Sequence, residues 1–92
     1  MTKATDMHLR SDSIAWNAVG DNVVVLDLTS STYFSTNATG ALLWQLLALG
    51  TNRRDLVNAL IERFAVGQFT AEQDVDTFLA DLERAQLLAT EG

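Results

Sequence analysis

Acidic side chains are the most abundant groups of this 92-residue chain that could do chemistry, and they gather in its C-terminal quarter. Six acidic residues accompany a single basic residue there, Arg84, so this segment carries −5 of the total charge of −6. Asp74, Phe78, Asp81 and Ala85 lie at i, i+4, i+7 and i+11, which places them along one stripe of a helix. The stripe predicts a surface for a partner that is partly apolar and partly basic. The alternative interpretation is a solvated helix face.

The residues needed for most catalytic and metal-binding chemistry are missing. The chain has no cysteine and one histidine, His8, which excludes thiol nucleophiles and multi-histidine metal sites. His8 lies in a segment without helical or strand periodicity, where no scaffold is expected to hold it as a general base. The five glycines are scattered and form no phosphate-binding loop. We therefore predict a protein that is not an enzyme and that binds no cofactor and no metal.

The charge and hydropathy of the chain also limit its partners. Only six lysine and arginine residues are present, whereas affinity for nucleic acid rests largely on such residues. No run of apolar residues is long enough to cross a bilayer, and the N-terminus has no apolar signal core. We expect no nucleic-acid partner, no membrane attachment and a cytoplasmic location.

The N-terminal part of the sequence predicts a small antiparallel sheet. Residues 1–10 show no period and are predicted to be a poorly ordered lead-in to a single domain over residues 11–90. The second of three short strands is apolar almost throughout, which predicts that both of its faces are covered. The third has no following strand, so its outer edge is expected to be open. The predicted strands are Ser13–Val19, Val23–Leu28 and Thr32–Ser35.

The apolar spacing changes to about 3.6 residues after Thr36 and predicts three helices. The first follows Asn37 as its N-cap and ends at Gly50; the second follows Thr51 or Asn52. The third is predicted to run from Ala71 to about Arg84, behind a capping box formed by Thr70 and Gln73. Trp44 and Phe64 fall on apolar helix faces and are predicted to lie in the core. Three strands followed by three helices make a single α+β domain.

Two stretches of the sequence resemble a known family. Tyr33 to Trp44 read Tyr-Phe-x-x-Asn-x-Thr-Gly-Ala-x-x-Trp, and Asp74 to Leu79 read acidic-Val-x-x-Phe-Leu. These patterns resemble the PqqD-like family of precursor-peptide recognition elements, which serve pathways to ribosomally made peptide natural products. Within that family the chain is most similar to the discrete B1-type protein of lasso peptide pathways. It departs from the family pattern at Thr36, where Leu is usual, and at Gln86, where Gly is common.

The resemblance implies a winged-helix-like fold and a role in binding rather than catalysis. It implies that the leader peptide of a precursor adds as a strand beside Thr32–Ser35, against the third helix. The protein would then present the leader to a separate leader peptidase and a macrocyclase. Together with the acidic stripe, it assigns leader binding to Thr32, Tyr33, Phe34, Ser35, Asp74, Phe78, Asp81, Leu82 and Ala85.

Two other functions remain open at the level of sequence. A winged-helix fold also suits a nucleic-acid-binding module, although its third helix would be the reading helix and is acidic here. An open strand edge also suits a module that only dimerises.

Overall fold

The structure is a computed structural model that describes residues 7–10 and 13–89. It confirms the predicted α+β arrangement of three antiparallel strands followed by three helices, and adds a two-stranded sheet. The elements, in chain order, are β1 (His8–Leu9), β2 (Ile14–Val19), β3 (Asn22–Asp27), β4 (Thr32–Thr36), α1 (Ala38–Leu49), α2 (Arg53–Phe64), α3 (Gln68–Arg84) and β5 (Leu88–Ala89). No helix within these residues is long and apolar enough to cross a membrane.

The three-stranded sheet has the order β2-β3-β4, and only one of its two faces is buried against the helices. Burial alternates along β3, where Val23 and Val25 are buried while Val24 and Leu26 are 36% and 42% exposed. The prediction that both faces of this strand are covered is therefore wrong. The described helices pack on one face of the sheet, and no described element lies on the other. β-branched residues on that open face satisfy the strand's conformational preference without being buried.

The core is built around α1, whose Leu43, Trp44 and Leu47 are almost completely buried. Trp44 thus lies in the core as predicted. Its ring meets Trp16 edge-on, with the ring centroids 6.0 Å apart. Phe64 does not lie in the core: it is 36% exposed at the last turn of α2, with the guanidinium of Arg63 over its ring. A position on an apolar helix face near the helix end did not guarantee a packing partner.

The N-terminal segment belongs to the fold from residue 7 onward. β1 pairs with β5 in antiparallel register, and the Arg10 amide donates a 2.8 Å hydrogen bond to the Leu87 carbonyl. The Arg10 guanidinium reaches the Gln86 carbonyl at 2.9 Å and the Asp27 carboxylate at 3.1 Å. The prediction of a poorly ordered lead-in over residues 1–10 is therefore wrong for residues 7–10. These residues pair with the other end of the chain, and such long-range pairing gives their own sequence no local period. Residues 1–6 and the His8 side chain lie outside the described residues.

The helix starts follow the predicted caps at two of three places. The Asn37 and Asn52 side chains accept 2.9 Å hydrogen bonds from the amides of Gly40 and Asp55. α3, however, begins at Gln68, three residues before the predicted start, and has no side-chain cap. Extended backbone at Gly67, with φ −72° and ψ 163°, lets the helix start directly after it.

α3 ends in a Schellman motif that places Gln86 in the left-handed region. The Leu87 amide donates to the Leu82 carbonyl at 2.9 Å, and the Gln86 amide donates to Glu83 at 3.0 Å. Gln86 has a φ of 61°, a conformation in which glycine is favoured. The departure from the family pattern at this position therefore coincides with backbone strain at the end of α3.

Candidate functional site

Strand β4 is an open edge of the sheet in the part of the chain that the structure describes. The amide of Leu28, the residue that follows β3, donates to the carbonyl of Ser13, the residue that precedes β2, so the backbone groups at this position point toward the β2 side. Because the direction alternates along an antiparallel strand, Val25 and its partner Phe34 exchange hydrogen bonds between β3 and β4. The amide and carbonyl groups of Tyr33 and Ser35 consequently point away from the sheet. They are available to another strand.

A groove runs beside this edge, between β4 and α3. Its floor is aromatic: the rings of Phe34 and Phe78 lie 6.4 Å apart, and Phe34 is also 6.4 Å from Trp44. The larger part of the groove, called here the wide pocket, has a volume of about 340 Å³. The wide pocket is lined by Phe34, Ser35, Thr36, Asn37, Thr39, Gly40, Leu43, Asp74, Thr77, Phe78 and Asp81.

A second hollow lies on the other side of Phe34, toward Thr32. It is called here the narrow pocket and has a volume of about 70 Å³. Phe34 lines both pockets and therefore divides the groove along the direction of β4. The narrow pocket is lined by Val25, Asp27, Thr32, Tyr33, Phe34, Ala85 and Leu87.

Gly40 lets α1 approach the floor of the wide pocket closely. A Cβ atom at this position would lie 3.0 Å from the Thr36 Cβ and 3.1 Å from the Phe78 Cε1. Both distances are shorter than an ordinary van der Waals contact, so a side chain there would push against the strand and the ring together. The glycine thereby fixes where the Phe78 ring stands.

The charge on the groove is negative. Asp74 is exposed, and no described cation lies within ion-pair distance of it. Asp81 pairs with Arg84 at 3.1 Å, but the Arg84 side chain is 73% exposed and the Asp81 side chain 43%, and a surface pair of this kind is weak. No lysine or arginine lines the wide pocket. A nucleic-acid backbone therefore finds no complementary charge on this face of α3.

Asp27 is the one carboxylate of the groove that is enclosed and already satisfied. Its oxygen accepts hydrogen bonds from the Thr29 amide at 3.0 Å and from Arg10 at 3.1 Å. Burial raises the pKa of this carboxyl, but the Thr29 amide and the Arg10 guanidinium outweigh that effect and hold the pKa below its usual value. Asp27 therefore stabilises the fold as an anion.

The structure brings most of the predicted site residues to this groove. Phe34, Asp74, Phe78 and Asp81 line the wide pocket, Thr32 and Ala85 line the narrow pocket, and Ser35 lies on the open edge. The Tyr33 side chain is 72% exposed and pairs across the strands with Leu26, on the outer face of the sheet. Leu82 is completely buried in the core and offers no surface to a partner. The sequence could not decide this, because an apolar residue at this position of α3 could lie either in the core or on the groove.

Nine lining residues of the groove were not among the predicted site residues: Val25, Asp27, Thr36, Asn37, Thr39, Gly40, Leu43, Thr77 and Leu87. Asn37, Thr39 and Gly40 are fixed positions of the Tyr33–Trp44 pattern, so that pattern contained the signal for these three. Leu43 and Thr77 carry no such signal in the sequence. In the described residues no group of acidic or histidine side chains is arranged to hold a metal ion.

Comparison with known proteins places the chain in a family. The family model described as coenzyme PQQ synthesis protein D (PqqD) matches residues 22–88. The chain belongs to the PqqD family. This confirms the resemblance seen in the sequence. No curated protein sequence matches this family member.

Two solved structures are similar to this PqqD family member over nearly its whole length. TbiB1 in complex with the TbiA(beta) leader peptide is 33% identical, with a TM-score of 0.80 over 89% of this chain and 95% of that one. A lasso peptide synthetase B1 complexed with the leader peptide is 26% identical, with a TM-score of 0.79 over 91% of this chain and 98% of that one. Both similar proteins were therefore solved with a leader peptide bound.

Proposed function

We propose that this protein is a non-catalytic recognition element that binds the leader peptide of a lasso peptide precursor. The single observation that carries the proposal is the open β4 edge alongside an apolar groove with an anionic rim. An extended peptide can satisfy the outward amides and carbonyls of Tyr33 and Ser35 while its side chains enter the groove. The leader complexes of the two similar structures support this assignment.

The binding mode is β-augmentation. Backbone hydrogen bonds to the edge supply affinity for any extended peptide, and the pockets and charges beside it select the sequence. An antiparallel leader strand would extend the order β2-β3-β4 by a fourth strand, with alternate side chains directed at α3. Ordering a flexible leader costs several kcal/mol, so we expect a dissociation constant of about 10 nM to 1 μM.

The downstream role is presentation. The protein holds the leader and so raises the local concentration of the attached core peptide for other enzymes. We propose a separate leader peptidase and a macrocyclase of the same pathway as those enzymes. No proton transfer or bond cleavage is assigned to the groove, because its two rim carboxylates lie on different turns of α3 and the lining of the wide pocket contains hydroxyl groups but no histidine, lysine or cysteine to act with them.

Proline substitution at two matched edge positions tests the binding mode. Ser35→Pro removes an amide that points outward from β4 and leaves the internal ladder intact. Ala18→Pro does the same on the opposite edge of the sheet, since the amides of β2 that face β3 belong to the alternate residues Ala15, Asn17 and Val19. Both variants are expected to fold, which circular dichroism and thermal melting would verify.

Calorimetry with synthetic halves of the cognate precursor then measures binding. We expect Ser35→Pro to lower leader affinity more than tenfold and Ala18→Pro to leave it within twofold, with no binding of the core half to any form. Equal affinity of a folded Ser35→Pro variant and the wild type would show that strand addition at β4 is wrong. Equal affinity for the leader and core halves would refute leader recognition itself.

A further inference from the structure

We infer that the groove reads two leader residues four positions apart: an arginine or lysine in the wide pocket and a small apolar residue in the narrow pocket. This inference rests on the proposed strand addition at β4. It adds to that function a specific sequence pattern, which follows from the unequal sizes and charges of the two pockets.

The spacing follows from the geometry of a strand added to β4. Thr32, Phe34 and Thr36 share the inner face of this strand, and a paired leader directs alternate side chains to the same face. The wide pocket lies at the Thr36 end and the narrow pocket at the Thr32 end. These ends are four residues, or about 13 Å, apart. The middle inward position faces the Phe34 ring, which stands between the two pockets.

The wide pocket suits a long side chain with an apolar stem and a cationic tip. Its volume of about 340 Å³ accommodates a whole arginine side chain. The rings of Phe34 and Phe78 can pack against the stem and the planar guanidinium, which aromatic faces attract. Asp74 has no described cation beside it, and the pair of Asp81 with Arg84 is exposed and can exchange partners. A neutral side chain would form no ion pair with either carboxylate, so the charge of the wide pocket favours arginine or lysine over a neutral residue.

The narrow pocket suits a small apolar side chain. Its volume of about 70 Å³ has room for roughly two methyl-sized groups. Val25 and Leu87 are buried beside it, and Ala85 closes one side. The only charged group there, Asp27, already accepts hydrogen bonds from Thr29 and Arg10. Alanine or valine fits this space, whereas an aromatic or a charged residue does not.

Selection from a random peptide library tests the pattern without knowledge of the precursor. The full-length protein would be immobilised and used to select 12-residue peptides by mRNA display, with Ser35→Pro protein as the counter-selection for edge binding. We expect the enriched peptides to carry arginine or lysine four residues from alanine or valine. The pair should occur at least tenfold more often than in the unselected library.

A cycle with a neutral arginine isostere tests the wide pocket. One selected peptide would be synthesised with arginine and with citrulline at the basic position. We expect citrulline to weaken binding to the wild type threefold to tenfold, and less than 1.5-fold to the Asp74→Asn, Asp81→Asn double variant. Glu83→Gln is the matched control, because Glu83 is exposed on α3 and does not line the groove. It should preserve the full effect of citrulline.

Ala85→Leu tests the narrow pocket, with Ala80→Leu as the exposed control on the same helix. We expect Ala85→Leu to weaken the valine peptide at least fivefold and the matching glycine peptide less than twofold, while Ala80→Leu changes neither. The two-pocket inference is overturned if the selected peptides depend on the β4 edge but lack the spaced pair of residues. It is also overturned if citrulline weakens binding to the double variant as much as binding to the wild type. Leader binding itself would survive either result. If no peptide depends on the edge, the proposed function fails as well.

Discussion

Gly40→Ala is expected to destabilise the protein although alanine is the better helix former. The new methyl group would lie 3.0 Å from the Thr36 Cβ and 3.1 Å from the Phe78 ring. An ordinary contact requires about 0.3 to 0.4 Å more, so the strand or the ring must move. The helix cannot retreat freely, because Leu43 and Trp44 on the next turn are completely packed.

The magnitude is a difference of two effects. Replacing glycine by alanine within a helix stabilises it by about 0.5–1 kcal/mol. Overpacking a close contact costs about 1–3 kcal/mol. We expect a net loss of about 1–2 kcal/mol, which lowers the melting temperature of a domain of this size by roughly 4–16 °C.

Thermal and urea unfolding followed by circular dichroism would measure this loss. Gly67→Ala is the control, because a Cβ at Gly67 meets nothing within 4 Å and its φ of −72° suits alanine. Gly67 is the N-cap of α3, where alanine is less favourable than glycine, but alanine also lowers the entropy of the unfolded chain. Because these two effects oppose each other, we expect Gly67→Ala to change stability by no more than about 0.5 kcal/mol. In a Phe78→Leu background the cost of Gly40→Ala should fall, since the ring edge is removed. A Gly40→Ala variant as stable as the wild type would refute the argument that this close approach is fixed.

Three further predictions follow from the groove and the helix end. Phe78→Leu should lower leader affinity about tenfold, whereas Asp74→Asn should lower it only about twofold to fivefold and reduce its salt dependence. Calorimetry on variants shown to be folded would measure both effects, and a larger effect of Asp74→Asn would contradict this ranking. Gln86→Gly should raise stability by about 0.5–1 kcal/mol, because the cost of the left-handed conformation exceeds the extra entropy that glycine loses on folding; an unchanged melting temperature would contradict it. The pKa of Asp27 lies below its usual value in the folded state, so its contribution to stability is present above about pH 4 and is lost as the pH falls further. Asp27→Asn should therefore flatten the acid limb of the stability profile, whereas Asp21→Asn, an exposed control, should leave its shape unchanged.

The element order and the first helix could be predicted from the sequence because their signals are local. Asn37 and Gly50 mark the ends of α1 through a side-chain cap and a glycine stop, and both act within a few residues. The Tyr33–Trp44 pattern also placed the family, which the match over residues 22–88 confirms. The stripe of Asp74, Phe78 and Asp81 depends only on helical period, and the structure puts all three on the groove.

Burial and long-range pairing were decided by the tertiary structure. The apolar run of β3 does not say which of its faces the helices cover, and Leu82 and Phe78 have the same helical periodicity although only Phe78 reaches the groove. β1 carries no period of its own because its partner, β5, lies at the other end of the chain.

The division of the groove into two pockets has the same origin. It depends on the Phe34 ring, placed by pairing with Val25, and on the Phe78 ring of α3, which packs where Gly40 of α1 leaves room for it. Residue types and local spacing therefore determined the elements and the charge of the binding face. Contacts between residues distant in the sequence determined its shape, since a pocket exists only where separate elements pack side by side.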